Sequence, residues 1–218
     1  MPVPLTTPLT LADLPAYARE FGVALDLRQT QQLRCYLDLL LAWNRRIALI
    51  SQRRPEAIIC KHFADSLVAA SLCRGGERVT DLGSGAGFPG LPVAIARPEA
   101  SVCLIEATGK KVSFLLNVIA QATVSNATVA EGRIERLAQQ PQFRGRSDMV
   151  ISRASFDIAS FLSLAKPFLA PGGRAIAMKG PCYAEELGRL SGAPPPSTVT
   201  SYRLPDGSER VLLTFRFT

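Results

Sequence analysis

The sequence contains little of what builds metal sites, disulfides or catalytic triads. Its 218 residues include one tryptophan and one histidine, His62. Five cysteines stand at positions 35, 60, 73, 103 and 182, and no two have Cys-x-x-Cys spacing. One histidine argues against a histidine-rich zinc site, and a Ser-His-Asp triad would depend on it alone. Because the cysteines are odd in number and lie in apolar runs, they indicate reduced thiols in a cytoplasmic protein without a metal centre.

Long apolar segments are also lacking. No run approaches the ~18–20 apolar residues that span a bilayer. The first 20 residues have no basic segment followed by an apolar one, so they do not have the pattern of a secretory signal. We therefore expect no membrane partner and a cytoplasmic location. With 47% hydrophobic residues, the chain can fold as one globular domain without disulfides.

Acidic residues are outnumbered, and the excess of positive charge is uneven. The chain has 25 Lys and Arg against 18 Asp and Glu, a net charge of +7. Residues 28–61 hold seven basic residues against two acidic ones, an excess of five in one segment. A basic face of this kind fits a polyanion, above all nucleic acid. A basic surface that serves only solubility is the alternative.

Helical patterns fill the first third of the chain, and strand and helix patterns alternate after it. Residues 10–22 and 28–43 have helical spacing, and Pro55 opens a third helix. The alternation that follows predicts a parallel sheet with helices on both faces. A helix is predicted over 158–173, ended by proline and glycine. The predicted strands cover residues 78–83, 101–106, 127–132, 147–154 and 174–180.

Two strand-like runs surround Asp206-Gly207 near the end of the chain, which predicts an antiparallel hairpin. The fold class is therefore α/β, with a Rossmann-like, mostly parallel sheet that finishes in a hairpin. We expect a single domain, residues 1–218. It would comprise a helical N-terminal extension (1–74), an α/β core (75–190), and a linker with the C-terminal hairpin (191–218).

The glycine-rich stretch DLGSGAGFPG, residues 81–90, follows the first predicted strand, where open α/β sheets bind ligands. It fits neither common phosphate-binding pattern: Phe88 stands where G-x-G-x-x-G needs its third glycine, and no P-loop lysine follows. Glycines allow a ligand to approach the backbone closely. Glu106 ends the second predicted strand and can accept hydrogen bonds from a ribose. A tight turn beside an acid that binds nothing is the alternative.

The spacing Asp-x-Gly-x-Gly-x-Gly resembles the first motif of class I S-adenosylmethionine-dependent methyltransferases. Further segments extend the resemblance, over about residues 28–190, to the bacterial family of guanine-N7 methyltransferases that act on small-subunit ribosomal RNA, formerly called glucose-inhibited division protein B. The segments are HFADS (62–66), DLGSGAGFPGLPVAIARPEASV (81–102), GKKVSFL (109–115), GRIE (132–135), DMVISRA (148–154) and GGRAIAMKG (172–180).

This resemblance implies a reaction, a cofactor and a partner. The cofactor is S-adenosylmethionine, and the substrate is small-subunit (16S) ribosomal RNA, free or in the 30S particle. Independently of the resemblance, we expect a monomer. Arg153 and Lys179 are the implied catalytic residues, and Lys110, Arg133 and Lys179 the implied RNA contacts. The implied cofactor contacts are Asp81, Gly83, Gly85, Gly87, Phe88, Glu106, Ala107, Thr108, Ile134, Glu135 and Arg153.

Two departures from the family pattern matter. Family members have Asn-Leu-Thr shortly after Trp-Asn, whereas Trp43-Asn44 is followed here by Ala48-Leu49-Ile50. The contribution of the N-terminal region to the site therefore stays open. Glu106 stands where many members have aspartate, which preserves the carboxylate.

Several of these residues also have structural interpretations. Arg153 could form a structural salt bridge, Lys179 could be a solvated charge, and Phe88 could belong to the core. For His62 and Asp65, three apart on a predicted helix, a packed or hydrogen-bonded pair is favoured over catalysis. A small-molecule methyltransferase and a non-catalytic RNA-binding protein are the alternative functions.

Overall fold

The structure, a computed structural model, describes residues 9–153, 155–190 and 194–217. Its centre is a seven-stranded sheet with the order β3-β2-β1-β4-β5-β7-β6. The first five strands pair in parallel, and β7 pairs antiparallel with both β5 and β6. The strands are β1 (Arg78–Leu82), β2 (Ser101–Glu106), β3 (Ala127–Glu131), β4 (Ser147–Arg153), β5 (Leu169–Lys179), β6 (Thr198–Arg203) and β7 (Glu209–Arg216).

Helices cover both faces of the sheet, and a buried cluster of apolar side chains fills each interface. The predicted α/β architecture with a C-terminal hairpin is therefore confirmed. A π-helical segment, Ile59–Ala64, connects α3 to α4. The helices are α1 (Leu14–Glu20), α2 (Leu27–Trp43), α3 (Pro55–Ile58), α4 (Asp65–Ala70), α5 (Gly90–Ala96), α6 (Gly109–Gln121), α7 (Ile134–Leu137), α8 (Ile158–Ala165) and α9 (Tyr183–Gly188).

The N-terminal helices pack on the face that carries α5 and α6. Helix α2 begins with a capping box, in which Asp26 and Gln29 each accept a hydrogen bond from the other's backbone N–H. The Gln29 amide also donates to the carbonyl of Ile95 in α5, at 2.8 Å. Leu33 and Leu40, on one face of α2, are fully buried. This face of α2 therefore attaches the N-terminal extension to the α/β core, and α1, α3 and α4 lie beside it.

One predicted boundary is wrong. The helix predicted to run to residue 173 ends as α8 at Ala165, and a 3-10 turn, Lys166–Phe168, follows it. Pro167 in that turn has no N–H for a further helical hydrogen bond, so the helix stops there. Strand β5 begins at Leu169, five residues earlier than predicted, with an irregular register opposite Ser147 and Met149. A bulge therefore accommodates the Pro-Gly-Gly segment within the strand.

Two short helices, α7 and α9, have no counterpart in the sequence prediction. With six residues or fewer each, they are too short to show a helical period in the sequence.

The sequence also predicts no membrane-spanning segment. Over the described ranges 9–153, 155–190 and 194–217, no helix is both long and apolar enough to cross a membrane.

Candidate cofactor and substrate site

The loops that follow β1, β2 and β3 are hydrogen-bonded to one residue, Glu106. Its side chain is buried at the end of β2. One carboxylate oxygen accepts the N–H of Gly85 at 2.9 Å, and the other accepts the N–H of Thr108 at 2.8 Å. Its backbone carbonyl accepts the N–H of Gly132, after β3, at 3.0 Å. Glu106 thus fixes three predicted cofactor loops, and its carboxylate keeps lone pairs for further hydrogen bonds.

The three motif glycines have different surroundings. Gly83, Gly85 and Gly87 all have positive φ, at 70°, 59° and 96°, which residues with a side chain rarely adopt. A Cβ on Gly87 would lie 2.5 Å from Leu91 Cδ1, so this glycine is required for packing. A Cβ on Gly85 would meet only a backbone oxygen, at 3.9 Å. The open face that a ligand could approach is therefore that of Gly85.

Asp81 lies behind the glycine loop. Its side chain has no exposed surface, and Oδ2 accepts the N–H of Gly90 at 3.0 Å. Oδ1 has no hydrogen-bond partner among the described residues. Burial raises the pKa of Asp81 to about 7, and the Gly90 hydrogen bond partly offsets that rise. Asp81 supports the start of α5 from inside the protein, and its contact with a cofactor stays a prediction.

Phe88 belongs to the core. It is 5% exposed, stacks on Tyr36 at 5.2 Å between ring centroids, and packs edge-on against Phe63. The Tyr36 hydroxyl donates to the carbonyl of Ala86, which ties the glycine loop to α2. The guanidinium of Arg153 lies 5.0 Å from the Phe88 ring centroid. The Phe88 ring therefore packs against the guanidinium of Arg153. Its contact with a cofactor stays a prediction.

Arg153, at the end of β4, is held by three acceptors. Nη1 donates to the carbonyl of Lys61 at 3.0 Å and to Asp65 Oδ2 at 3.3 Å. Nη2 donates to Nδ1 of His62 at 2.5 Å. The second oxygen of Asp65 accepts the hydroxyl of Tyr202, from the C-terminal hairpin, at 2.6 Å. The expected hydrogen bond between the side chains of His62 and Asp65 is therefore not formed, and each side chain binds Arg153 instead.

His62 is neutral. Its pKa is lowered to about 3. Burial is the largest cause, and the positive charges of Arg153 and Lys61 contribute to the same shift. A guanidinium can only donate, so Nδ1 of His62 must accept and the ring proton is on Nε2. Nε2 then donates to Gln52 Oε1 at 2.8 Å. With both nitrogens engaged, the imidazole is a structural link between the N-terminal region and β4.

A cavity of about 460 Å³ lies beside this cluster, within the size range of ligand pockets. It is open at the carboxyl ends of β4 and β5, the edge where α/β sheets bind ligands. Four cationic side chains and one carboxylate line it, which favours an anionic or electron-rich ligand. The lining residues are Gln52, Lys61, His62, Asp65, Arg153, Met178, Lys179, Gly180 and Arg210.

Comparison with known proteins identifies the family. The model of the family described as rRNA small subunit methyltransferase G, or GidB, matches residues 29–210. The chain belongs to the GidB family. The "Ribosomal RNA small subunit methyltransferase G" of Roseiflexus sp. strain RS-1 is 40% identical over 79% of this chain and 74% of its own length. That of Chromohalobacter salexigens is 36% identical over 96% of this chain and 99% of its own length.

The fold has known counterparts as well. A crystal structure described as a SAM-dependent methyltransferase from Aquifex aeolicus superposes with a TM-score of 0.54 at 17% identity. The match covers 75% of this chain and 94% of that one. This likeness establishes the Rossmann-like methyltransferase fold.

The cations that the GidB resemblance assigned to RNA are not equivalent. Lys110, in the first turn of α6, and Arg133, directly before α7, are exposed. Lys179 is different: its side chain is 10% exposed, and its ammonium donates to the carbonyl of Phe156 at 2.6 Å and to Glu186 at 2.7 Å. Lys179 is therefore a fixed cation in the cavity wall and not a solvated charge. Its contact with RNA stays a prediction.

The remaining residues that the family resemblance assigned to the cofactor lie near the loops that Glu106 holds. Ala107 and Thr108 are exposed directly after β2. Ile134 is buried in α7, and its neighbour Glu135 is exposed. These residues occupy the same edge of the sheet as Gly85, because the carboxyl ends of parallel strands meet there. Their contacts with a cofactor stay predictions.

Several residues of this site were not predicted from the sequence. Gln52 lies in a loop without a motif, and Tyr202 and Arg210 lie in the hairpin, far along the chain from β4. Glu186 lies on α9, which was itself not predicted. The residues with a sequence signal were His62 and Asp65, in the HFADS segment, and the predicted Arg153 and Lys179. Within the described parts of the chain, no group of three or more His, Cys, Asp or Glu could hold a metal ion.

Proposed function

We propose that this protein transfers a methyl group from S-adenosylmethionine to N7 of guanine in small-subunit ribosomal RNA. The observation that carries the proposal is the family match over residues 29–210. That range contains both the loops around Glu106 and the cationic cavity beside Arg153. The names of the relatives from Roseiflexus and Chromohalobacter support the RNA substrate.

The residues present fit the proposed cofactor. S-adenosylmethionine has no phosphate, so a loop without a P-loop lysine suits it. The open face of Gly85 lets a ligand approach the backbone, and Glu106 has carboxylate lone pairs for two ribose hydroxyls. When bound, the cofactor supplies an electrophilic sulfonium methyl group. Glu106 would hold the ribose, with Ala107, Thr108 and Ile134 bordering the nucleoside.

The proposed reaction requires orientation more than acid–base chemistry. Guanine N7 carries a lone pair in the ring plane, so no proton has to be removed before the methyl group is transferred. A site for this reaction must hold the two partners at about 3–3.5 Å and in line. An orienting role fits this site, because His62 is neutral and engaged at both nitrogens and so is not available as a general base. Arg153 and Lys179 are fixed cations that can hold the guanine base and the phosphates of its nucleotide.

The N-terminal region offers a surface for RNA phosphates beside the cavity. Residues 44–54 form a loop that we call the Asn44 loop. The Asn44 side chain accepts the N–H of Leu49 at 2.9 Å and of Ile50 at 3.1 Å, and donates to the carbonyl of Gln52. The loop thereby directs Gln52 toward the cavity. Its arginines are all exposed, as RNA-binding arginines must be: Arg45, Arg46, Arg53 and Arg54.

We further propose that the enzyme acts as a cytoplasmic monomer. The five free cysteines support a reducing compartment. Sedimentation of the purified protein at two concentrations tests the monomer.

Methyl transfer is the direct test. Purified protein is incubated with labelled S-adenosylmethionine and either 30S particles that lack the modification or their extracted RNA, and the labelled nucleotide is mapped by mass spectrometry. We expect one N7-methylated guanine in the RNA. Transfer to small molecules without RNA would instead indicate a small-molecule methyltransferase. RNA binding without turnover would indicate a non-catalytic RNA-binding protein.

The cofactor site is tested by the Glu106→Gln variant. Losing charge-assisted hydrogen bonds, each ~1.5–3 kcal/mol, predicts cofactor affinity at least ~10-fold weaker by calorimetry. Glu106→Asp keeps the carboxylate and should bind more tightly than Glu106→Gln. The control is Glu99→Gln, an exposed carboxylate before β2, at the opposite edge of the sheet. Equal affinity of the Glu106→Gln and Glu99→Gln proteins, with both still folded, would place the ribose elsewhere.

A further inference from the structure

The C-terminal hairpin reaches the site through one hydroxyl group. Tyr202, on β6, is 7% exposed, and its hydroxyl donates to Asp65 Oδ1 at 2.6 Å. Asp65 opens α4 and is 3% exposed. The other carboxylate oxygen accepts from Arg153 Nη1 at 3.3 Å. A single buried carboxylate therefore bridges the hairpin and the cation at the cavity.

We propose that Tyr202 is a positioning residue for Arg153: its hydroxyl fixes the Asp65 carboxylate, and the carboxylate fixes the guanidinium at the cavity. This inference rests on the proposed methyl transfer, in which Arg153 contacts the substrate. It assigns a role to a residue of the hairpin, which contributes no member of the predicted catalytic or cofactor set.

The Asp65 carboxylate needs both partners. A buried carboxylate is stable only when its oxygens are hydrogen-bonded and its charge is paired. The Arg153 contact, at 3.3 Å, lies at the long end of the hydrogen-bond range, so its strength depends on how the carboxylate is turned. The short Tyr202 hydrogen bond holds the opposite oxygen and sets that orientation. Without it, the carboxylate can rotate away from the guanidinium.

The guanidinium of Arg153 uses only some of its N–H groups in hydrogen bonds within the protein. Three of its five N–H groups donate to Lys61, Asp65 and His62. The Nε–H and one Nη2–H have no partner among the residues that the structure describes. They are the donors that remain for a substrate oxygen at the cavity. A planar guanidinium can present them in one direction only if the other three are fixed.

A purely structural role for Tyr202 makes a different prediction, and Tyr17 provides the matched control. Both rings pack against Phe21, at 6.1 Å for Tyr202 and 5.2 Å for Tyr17. The Tyr17 hydroxyl donates to the carbonyl of Arg203, on the same hairpin, at 3.3 Å. It makes no hydrogen bond to Asp65. Loss of either hydroxyl therefore weakens the hairpin contact, and only loss of the Tyr202 hydroxyl releases Asp65.

The kinetic test compares Tyr202→Phe with Tyr17→Phe. We expect Tyr202→Phe to lower kcat by about 10-fold, with KM for RNA changed less than about 2-fold, because the lost hydrogen bond acts on orientation. Tyr17→Phe should keep the wild-type kcat. In an Arg153→Ala background, Tyr202→Phe should have no further effect on kcat, since the residue through which it acts is gone.

A second measurement does not depend on turnover. Nitrogen-15 NMR reports the Arg153 guanidinium signal, which is assigned by its loss in Arg153→Lys. We expect a sharp signal in the wild type and in Tyr17→Phe, and a broadened one in Tyr202→Phe. If the wild type transfers no methyl group, the proposed function fails while this spectrum still tests the linkage. An unchanged spectrum, equal losses of kcat in both tyrosine variants, or additive losses in the double variant would overturn the proposal.

Discussion

Because His62 is the single histidine of the chain, its effect on the pH dependence of stability can be measured separately. Burial and the neighbouring cations lower the pKa of His62 to about 3, whereas a histidine in the unfolded chain has a pKa of about 6.5. Below pH 6.5 the unfolded chain therefore binds a proton that the folded protein does not. Above pH 6.5 this group does not lower the free energy of unfolding. As the pH falls from 6.5 toward 3, the free energy of unfolding decreases. The slope is ~1.4 kcal/mol per pH unit.

The magnitude is measurable by urea unfolding. Between pH 7 and pH 5, protonation of His62 in the unfolded chain should lower the free energy of unfolding by about 2 kcal/mol. Asp81 acts in the opposite direction over much of this range, because its pKa is raised from 3.8 to about 7. The comparison is therefore made against His62→Gln. The difference between the two proteins cancels Asp81 and every other group, and it should shrink by about 2 kcal/mol as the pH falls from 7 to 5.

NMR provides an independent measurement. With one histidine in the chain, the imidazole signals need no assignment. We expect the His62 Hε1 shift to stay constant from pH 8 to pH 5, with the ring proton on Nε2. A titration midpoint near 6.5, or equal pH dependence of stability in wild type and His62→Gln, would refute the argument that burial and the neighbouring cations keep this ring neutral.

Two further predictions concern stability. Gly87→Ala should lower the free energy of unfolding, measured by urea denaturation, by about 2–4 kcal/mol against about 1 kcal/mol for Gly85→Ala, because only the Gly87 Cβ would overlap Leu91, at 2.5 Å. Equal losses would show that backbone strain alone matters. Glu77→Ala should cost ~3–5 kcal/mol, because it leaves the buried, doubly bonded Arg174 guanidinium unpaired. Glu209→Ala, which breaks an exposed pair, should cost at most ~1 kcal/mol, and a similar loss in both proteins would contradict the burial argument.

The placement of the proposed cofactor loops at one edge of the sheet could be predicted from the sequence, because their residues follow consecutive strands. Gly85 and Glu106 each lie where a strand of the predicted parallel sheet ends, so the topology alone brings them to one edge. The spacing could not show that Glu106 already accepts two backbone hydrogen bonds. Nor could it distinguish Gly87, which is needed for packing, from Gly85, which faces open space.

The cluster around Arg153 could be predicted only in part: the family resemblance indicated Arg153 and Lys179, but not the partners that distant segments bring to them. Gln52, Asp65, Arg153 and Tyr202 meet only after the N-terminal helices, β4 and the hairpin have packed together. The departure from the family pattern at Ala48-Leu49-Ile50 illustrates this. The loop is nevertheless closed, because Asn44 accepts the backbone N–H groups of Leu49 and Ile50, which do not depend on side-chain identity.

The pairing order of the last strands has a consequence for the synthesis of the chain on the ribosome. The loops around Glu106 lie within residues 81–132, so they can assemble while the remainder is still being translated. Strand β5 has its outer partner only when β7 arrives, and until then it is an unpaired edge that can associate with other chains. Asp65, which binds Arg153, acquires its second hydrogen-bond partner only after Tyr202 has emerged. The nascent chain can therefore form the loops around Glu106 well before the hairpin can hold the Asp65 carboxylate that binds Arg153.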